Sequence, residues 1–256
     1  MEQWQTAERV SRTASDNFVF QRSILAYYEA AKRISGDVLE IGTGSGYGIE
    51  VIAPHARRYV TIDKFMFEQQ GQLPDNVEFR QATVPPLPYP DASFDCVISF
   101  QVIEHIKEDF QFVKEIHRVL RPNGRVILTT PNAPMSLTRN PWHVREYQAE
   151  ELQNLLSHFF GQVQVLGVTG NEAVMAYYER NRESVRRLMR WDIFDLQHRL
   201  PRWLLQWPYD VMNRRNRRKL MQAAPEATAA IRMEDYRIEP YRKEAFDLFV
   251  VAQKRG

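Results

Sequence analysis

Val38-Leu-Glu-Ile-Gly-Thr-Gly-Ser-Gly-Tyr-Gly48 decides the fold. Val38 to Ile41 reads as a short buried strand, and it runs straight into glycines at 42, 44 and 46. Glycine permits a tight turn and lets a ligand lie against bare backbone. A short helix is expected from about Tyr47 to Ala53, stopped by Pro54, and its first N–H groups would face polar ligand atoms. A dinucleotide fingerprint needs its third glycine three places after the second; Tyr47 stands there, so the spacing disfavours a nicotinamide cofactor.

Outward from this loop, strands and helices alternate. A helix is expected over Asn17–Ile34, with Phe20, Ile24, Tyr27, Tyr28 and Ala31 at helical spacing and Gly36 as its stop. Further strands are expected at Tyr59–Ile62, Val77–Phe79, Asp95–Ser99 and Val126–Thr129. A helix over about Ile106–Leu120 would bury Phe110, Val113, Ile116 and Leu120, and Arg121–Gly124 would be a turn. A helix near Glu150–Leu156, a strand at Val163–Val168 and a last strand at Phe246–Val251 complete the pattern. It predicts an α/β, Rossmann-like, mostly parallel sheet covered on both faces. Four segments follow: an N-terminal helical cover (1–36), a ligand-binding core (37–170), a basic helical lid inserted before the last strand (171–240), and that strand (241–256).

Composition narrows the class. The 256 residues are 44% hydrophobic and 26% charged, which suits a globular chain and excludes wholesale disorder. A single cysteine, Cys96, excludes an internal disulfide framework and a thiolate zinc cluster. No run approaches the apolar length of a spanning helix, and the start lacks a signal pattern, so a cytoplasmic protein is expected. The net charge of +2 is unevenly placed: residues 1–170 sum to −4 and residues 171–256 to +6.

Asp63 ends the second strand, where a carboxylate can accept two hydrogen bonds from a ribose diol. Glu40 lies inside the first strand, a costly place for an unpaired charge. It is expected to hold the loop and a ligand ammonium, with a purely structural hydrogen bond to the loop as the competing reading.

The glycine segment resembles the first motif of class I S-adenosylmethionine (SAM) methyltransferases. Leu87-Pro-Tyr-Pro-Asp-Ala-Ser-Phe-Asp95, Val97-Ile-Ser99, Glu104-His105, Val119-Leu-Arg-Pro-Asn-Gly124 and Thr130-Pro-Asn132 follow in that family's order. The resemblance covers about residues 17–170 and the last strand. It implies a seven-stranded sheet with an antiparallel last strand, and SAM as cofactor. Gly42 and Gly44 would face its methionine part, Asp63 would hold its ribose, and Gly46 would be a further cofactor-binding residue. The family commonly has an aspartate at Thr83 for the adenine amine, so adenine would rest more on Lys64, Phe65 and the Val84 backbone. Ser99, Phe100 and Gln101 would border the methionine end.

An acceptor hydroxyl must be aligned with the reactive methyl and relieved of its proton. Of six histidines, His55, His117 and His158 read as surface residues, and nothing specific attaches to His198. His105 and His143 follow neighbouring strands of the parallel sheet, so their loops can converge. Gln101-Val-Ile-Glu-His105 resembles a Glu-x-x-Glu-His metal motif of ubiquinone-pathway and small-RNA O-methyltransferases, in which a later histidine completes the RNA enzymes' site. That resemblance implies a divalent cation (Mg, Mn or Zn) on Glu104, His105 and His143, with Gln101 replacing one carboxylate. A metal-free histidine base and a structural role are the competing readings.

Phe18, Phe20 and Arg22 are candidates for closing the pocket from the N-terminal cover, which starts near Arg9–Thr13. In the lid, Trp191, Trp203 and Trp207 are interleaved with arginines, and Trp203, Leu204 and Trp207 share a helix face until Pro208. Four readings apply: a basic face over an aromatic core, an anionic or lipid-linked acceptor, peripheral membrane contact, and nucleic acid, for which no module is recognisable. The expected activity is O-methylation of a small molecule, sugar or glycan. C- or N-methylation of a quinone-like or amine acceptor, a nicotinamide oxidoreductase, and a non-catalytic SAM-binding protein are the alternatives.

Overall fold

The computed structural model describes residues 10, 13–67, 71–190, 192 and 195–256. Arg9, Trp191 and the side chain of His198 lie outside the described residues.

Five strands pair in parallel: β1 (Asp37–Ile41), β2 (Arg58–Asp63), β3 (Val77–Gln81), β4 (Phe94–Phe100) and β5 (Leu120–Pro131). β6 (Gln162–Gly170), β7 (Tyr236–Pro240) and β8 (Asp247–Gln253) complete the sheet, in the order β3-β2-β1-β4-β5-β8-β6-β7. β8 runs antiparallel between β5 and β6. The seven expected strands carry an eighth, β7, at the edge beyond β6. It falls in the segment read as helical lid, because Tyr236-Arg-Ile-Glu-Pro240 is a polar edge strand rather than an apolar run.

Side chains alternate between two apolar layers, as the strand period requires. Val38, Tyr59, Cys96, Ile98 and Phe249 face α1 (Asn17–Ala31) and the one-turn helix α2 (Ile49–Ile52). Leu39, Val60, Val97, Val126 and Leu248 face α3 (Asp109–Val119) and α4 (Ala149–Ser157). α3 begins later than Ile106, and its phase differs from the expected one. Phe112 is buried on it with Val113 and Ile116, while Phe110 is 49% exposed. Arg121–Gly124 does turn, but as a bulge inside β5. Phe94 pairs with Leu120 and Cys96 with Arg125, and Asn123 takes φ 63°.

The insertion holds α5 (Glu172–Met189), α6 (Leu196–Arg199), α7 (Arg202–Ala223) and α8 (Pro225–Ala230). α7 does not end at Pro208; it continues fifteen residues further, to Ala223. Proline removes one N–H to the Leu204 carbonyl, but both residues are exposed, so water can satisfy it. Among the described residues no helix is long and apolar enough to cross a membrane.

Candidate functional site

The parallel strands bring their carboxyl ends to one edge of the sheet. The order reverses between β1 and β4, the place where open α/β sheets form a crevice. β8 enters from the same edge, since Asp247 pairs with Pro131.

The glycine loop lies at this switch point. Gly42, Gly44 and Gly46 all have left-handed φ, of 96°, 57° and 78°. A Cβ on Gly42 would meet Val102 Cγ2 at 2.4 Å, so the close approach of the two loops requires glycine there. Among the described residues, a Cβ on Gly44 would meet nothing within 4 Å. Asp63 closes the loop from β2. Its Oδ2 accepts the Gly44 N–H at 2.9 Å and its Oδ1 the Phe65 N–H at 2.9 Å. Lys64 Nζ lies 4.9 Å from the centre of the exposed Phe65 ring. The Thr83–Val84 loop passes beside Asp63, whose carbonyl accepts the Ala82 N–H. Ser99 Oγ is buried at the end of β4 with no hydrogen-bond partner among the described residues. Bare backbone, a fixed carboxylate and a buried hydroxyl at the carboxyl ends of β1, β2 and β4 fit an adenosyl ligand carrying an amino-acid tail.

Two residues expected at this ligand are engaged elsewhere. Glu40 accepts hydroxyl protons from Tyr27 (2.7 Å), Tyr59 (2.6 Å) and Thr61 (2.5 Å). Thr61's proton is then committed, so Thr43 Oγ1 donates to Thr61 Oγ1 at 2.6 Å and ties the loop to this network. Glu40 thus reaches the glycine loop through the Thr61 and Thr43 hydroxyls, not through the loop backbone. Burial pushes its carboxyl above the usual range, against the three hydrogen bonds. Phe100 packs edge-on against Tyr27, 4.7 Å between ring centres, inside the α1 layer.

His105 and His143 converge. The Glu104 carbonyl accepts the Val144 N–H at 2.7 Å, stitching the turn after β4 to the loop after β5. One ligand atom from each of Glu104, His105 and His143 lies within 4.8 Å of the others, and the two imidazole centres are 5.0 Å apart. Each ring has a defined tautomer. His105 Nδ1 is 3.0 Å from the Trp142 carbonyl, which only accepts, so Nδ1 carries the proton. His143 Nδ1 is 2.8 Å from the Glu146 carboxylate, and its Nε2 accepts the Asn140 amide at 2.8 Å. Glu104 is buried, with Oε2 accepting the Thr130 hydroxyl at 3.0 Å. Gln101, at φ 56°, donates its amide to Thr129 Oγ1 at 3.2 Å and lies against Asp247.

Sequence reasoning missed Glu146 and Asn140, which orient His143, although their spacing of three residues on either side was a readable signal. It also missed the Arg22–Asp247 ion pair at 2.8 Å, joining residues far apart in the chain. Arg22 therefore sits at the head of β8, with its guanidinium against Phe18 and Phe246. Phe18 belongs to the core, stacked on Tyr177 at 4.4 Å, and Phe20 packs on Tyr47 of the glycine loop. His117 also packs inward, against Phe160. A separate cleft of about 560 Å³ lies between the loop after β5 and α5, lined in part by Met135, Leu137, Met175 and Met189.

Residues 39–128 match a family described as "Methyltransferase domain". The chain is 42% identical over 161 residues to a "Probable S-adenosylmethionine-dependent methyltransferase" of Mycolicibacterium smegmatis, covering 59% of this chain and 62% of that protein. A like-named protein of Mycobacterium tuberculosis is 41% identical over 150 residues, covering 55% of this chain and 54% of that protein. The chain thus spans little more than half the length of these relatives. A SAM-dependent methyltransferase of Thermotoga maritima has the same fold, at TM-score 0.56 and 16% identity over 93% of this chain and 92% of that one. Residues 39–128 are thus similar to a methyltransferase domain, and the chain shares its fold with a known SAM-dependent methyltransferase.

Proposed function

We propose that the protein transfers the methyl group of SAM to a hydroxyl oxygen on a small molecule, sugar or glycan. One observation carries the hydroxyl reading: two imidazoles with their Nδ1 protons fixed converge with a buried carboxylate beside the crevice. In this reading Gly42, Gly44 and Gly46 give backbone to the methionine part of SAM and Asp63 holds the ribose. Lys64, Phe65, Thr83 and Val84 flank the adenine, and Ser99 meets the methionine end. SAM supplies an electrophilic methyl on a sulfonium.

The chain's own contribution is proton removal and positioning. His143 accepts the acceptor's proton at Nε2, the place now taken by the Asn140 amide. Glu146 holds the other ring nitrogen and stabilises the imidazolium that forms, the role a carboxylate plays behind a catalytic histidine. His105, set by the Trp142 carbonyl, fixes the acceptor from the opposite wall.

The cluster also favours a second reading. One carboxylate and two imidazoles, each with Nδ1 turned to an oxygen, are a donor set suited to a divalent ion. Glu104, His105 and His143 would hold Mg, Mn or Zn once His143 exchanged the Asn140 amide. Such an ion would lower the hydroxyl's pKa. The test is His143→Ala. Methyl transfer should fall at least about 100-fold, while S-adenosylhomocysteine binding, by calorimetry, stays within a few fold. Lost cofactor binding would move His143 to the cofactor site. Full activity in excess EDTA, with no metal by elemental analysis, would leave the base reading alone standing.

A further inference from the structure

The outer face of α7 is divided along its length rather than around it. Trp203, Leu204, Trp207, Pro208, Val211 and Met212 are all exposed in its first half. Trp203 is 70% and Trp207 63% exposed, so they are not the aromatic core of a basic lid. The second half turns Arg214, Arg215, Arg218 and Lys219 to solvent on the same side. The helix has a single acidic residue, Asp210, and that one is buried on the inner face. No carboxylate of α7 therefore offsets the exposed cations.

From this we infer that α7 docks the protein on an anionic lipid surface. Tryptophan and aliphatic side chains enter the boundary between headgroups and acyl chains, while the four cations rest on anionic headgroups. Nucleic acid fits less well. Stacking on bases needs cations beside the rings to meet the phosphates, and here the rings and the outer cations occupy different halves of the helix. The helix does not span; it lies on the surface.

The inner face of α7 holds the candidate site. Asp210 Oδ1 accepts the Trp142 indole N–H at 3.0 Å, and Arg202 donates to the Val144 carbonyl at 2.7 Å, on either side of His143. Docking would therefore bring the His143 loop close to the lipid surface, where an acceptor with a lipid anchor would be found. The docking surface itself stands without the proposed reaction.

The test is flotation of the full chain with phosphatidylcholine vesicles, alone and with one third phosphatidylglycerol. Binding is expected only to the anionic vesicles. It should weaken sharply from about 0.1 M to about 1 M salt, as the Debye length shrinks from about 10 to about 3 Å. The Trp203→Ala/Trp207→Ala variant should bind about tenfold more weakly or worse. Changing Arg214, Arg215, Arg218 and Lys219 to serine should cost roughly fivefold per cation. All six side chains are exposed, so circular-dichroism melting should keep its midpoint, and calorimetry with S-adenosylhomocysteine should be unchanged. Absence of flotation with anionic vesicles at low salt overturns the inference. So does equal flotation of the tryptophan variant. Tighter binding to single-stranded RNA than to vesicles, or a dimer abolished by the tryptophan variant in place of vesicle binding, would overturn it in favour of another partner.

Discussion

Asp63 accepts one backbone N–H on each carboxylate oxygen, from Gly44 and from Phe65. The carboxylate cannot swing away without breaking both bonds. Asp63→Ala should therefore weaken S-adenosylhomocysteine binding about tenfold to a hundredfold, the worth of hydrogen bonds to a charged group. Calorimetry checks this, and unchanged affinity would place the ribose elsewhere. In the proposed reaction Glu146 acts through His143, whose Nδ1 lies 2.8 Å from its carboxylate. A carboxylate beside an imidazole favours the imidazolium. Glu146→Gln should reduce kcat with KM and S-adenosylhomocysteine binding little changed. A variant that only loosened the loop would raise KM or weaken cofactor binding as well. Asp63 and His143 were legible because each stands at the end of a readable strand or in the loop after one. Glu40 was legible as a buried charge but not in its partners, since nothing local points to Tyr27 and Tyr59 at its carboxylate.

Among the elements, α3 fixes the segment that follows β3. Arg118 donates to both carboxylate oxygens of Glu115 at 2.8 Å, to the Tyr89 and Leu87 carbonyls, and to Asp91. Glu115 in turn accepts the Leu87 N–H at 2.9 Å. The guanidinium beside it, assisted by that N–H and opposed by burial, holds the Glu115 carboxyl below its usual range. The native state therefore binds this proton less readily than the unfolded chain. The stabilisation is complete above the unfolded value, about 4.3, and is lost as pH falls through the lowered folded value. Glu115→Gln should flatten part of the acid limb of the thermal midpoint below about pH 5. Arg118→Ala should cost about 2 kcal/mol at neutral pH, a drop of about 4–8 °C in the midpoint. Equal acid limbs in Glu115→Gln and the parent would refute the assignment. Buried strands β1, β2, β4 and β5 were legible because each is a short apolar run ending at glycine, a carboxylate or a turn. β7 was not, because an edge strand with one wet face needs no apolar run. Phe110 was misplaced because two three-residue steps back from Ile116 carry it off the buried face, while Phe112, one four-residue step back, stays on it. Pro208 was read as a stop, although an exposed helix face can lose one hydrogen bond to water and continue.

Over the whole molecule, the N-terminal cover and the insertion form one layer rather than two attachments. Phe18 stacks on Tyr177 of α5 and meets Tyr236 of β7 and Phe246 edge-on. Asn17 donates to the Thr228 and Ile231 carbonyls, Tyr236 donates to the Phe18 carbonyl, and Arg217 pairs with Asp16 at 2.9 Å. These contacts join residues near the start of the chain to residues more than 150 positions later, and no local pattern announces them. The same layer continues under the sheet through Ile24, Tyr27 and Ala30 to Val38 and Ile98. A lid with its own core would melt separately; a lid whose core is the shared α1 layer cannot. The expected result is one thermal transition, with far- and near-ultraviolet circular dichroism coincident. Phe18→Ala should lower it as a unit by about 10 °C, from roughly 3–5 kcal/mol for deleting a buried aromatic ring. A variant that lost only a helical fraction at low temperature, and kept the main transition where it was, would show that the insertion folds on its own. That outcome would also free α7 from the Trp142 and Val144 contacts that couple its outer surface to His143.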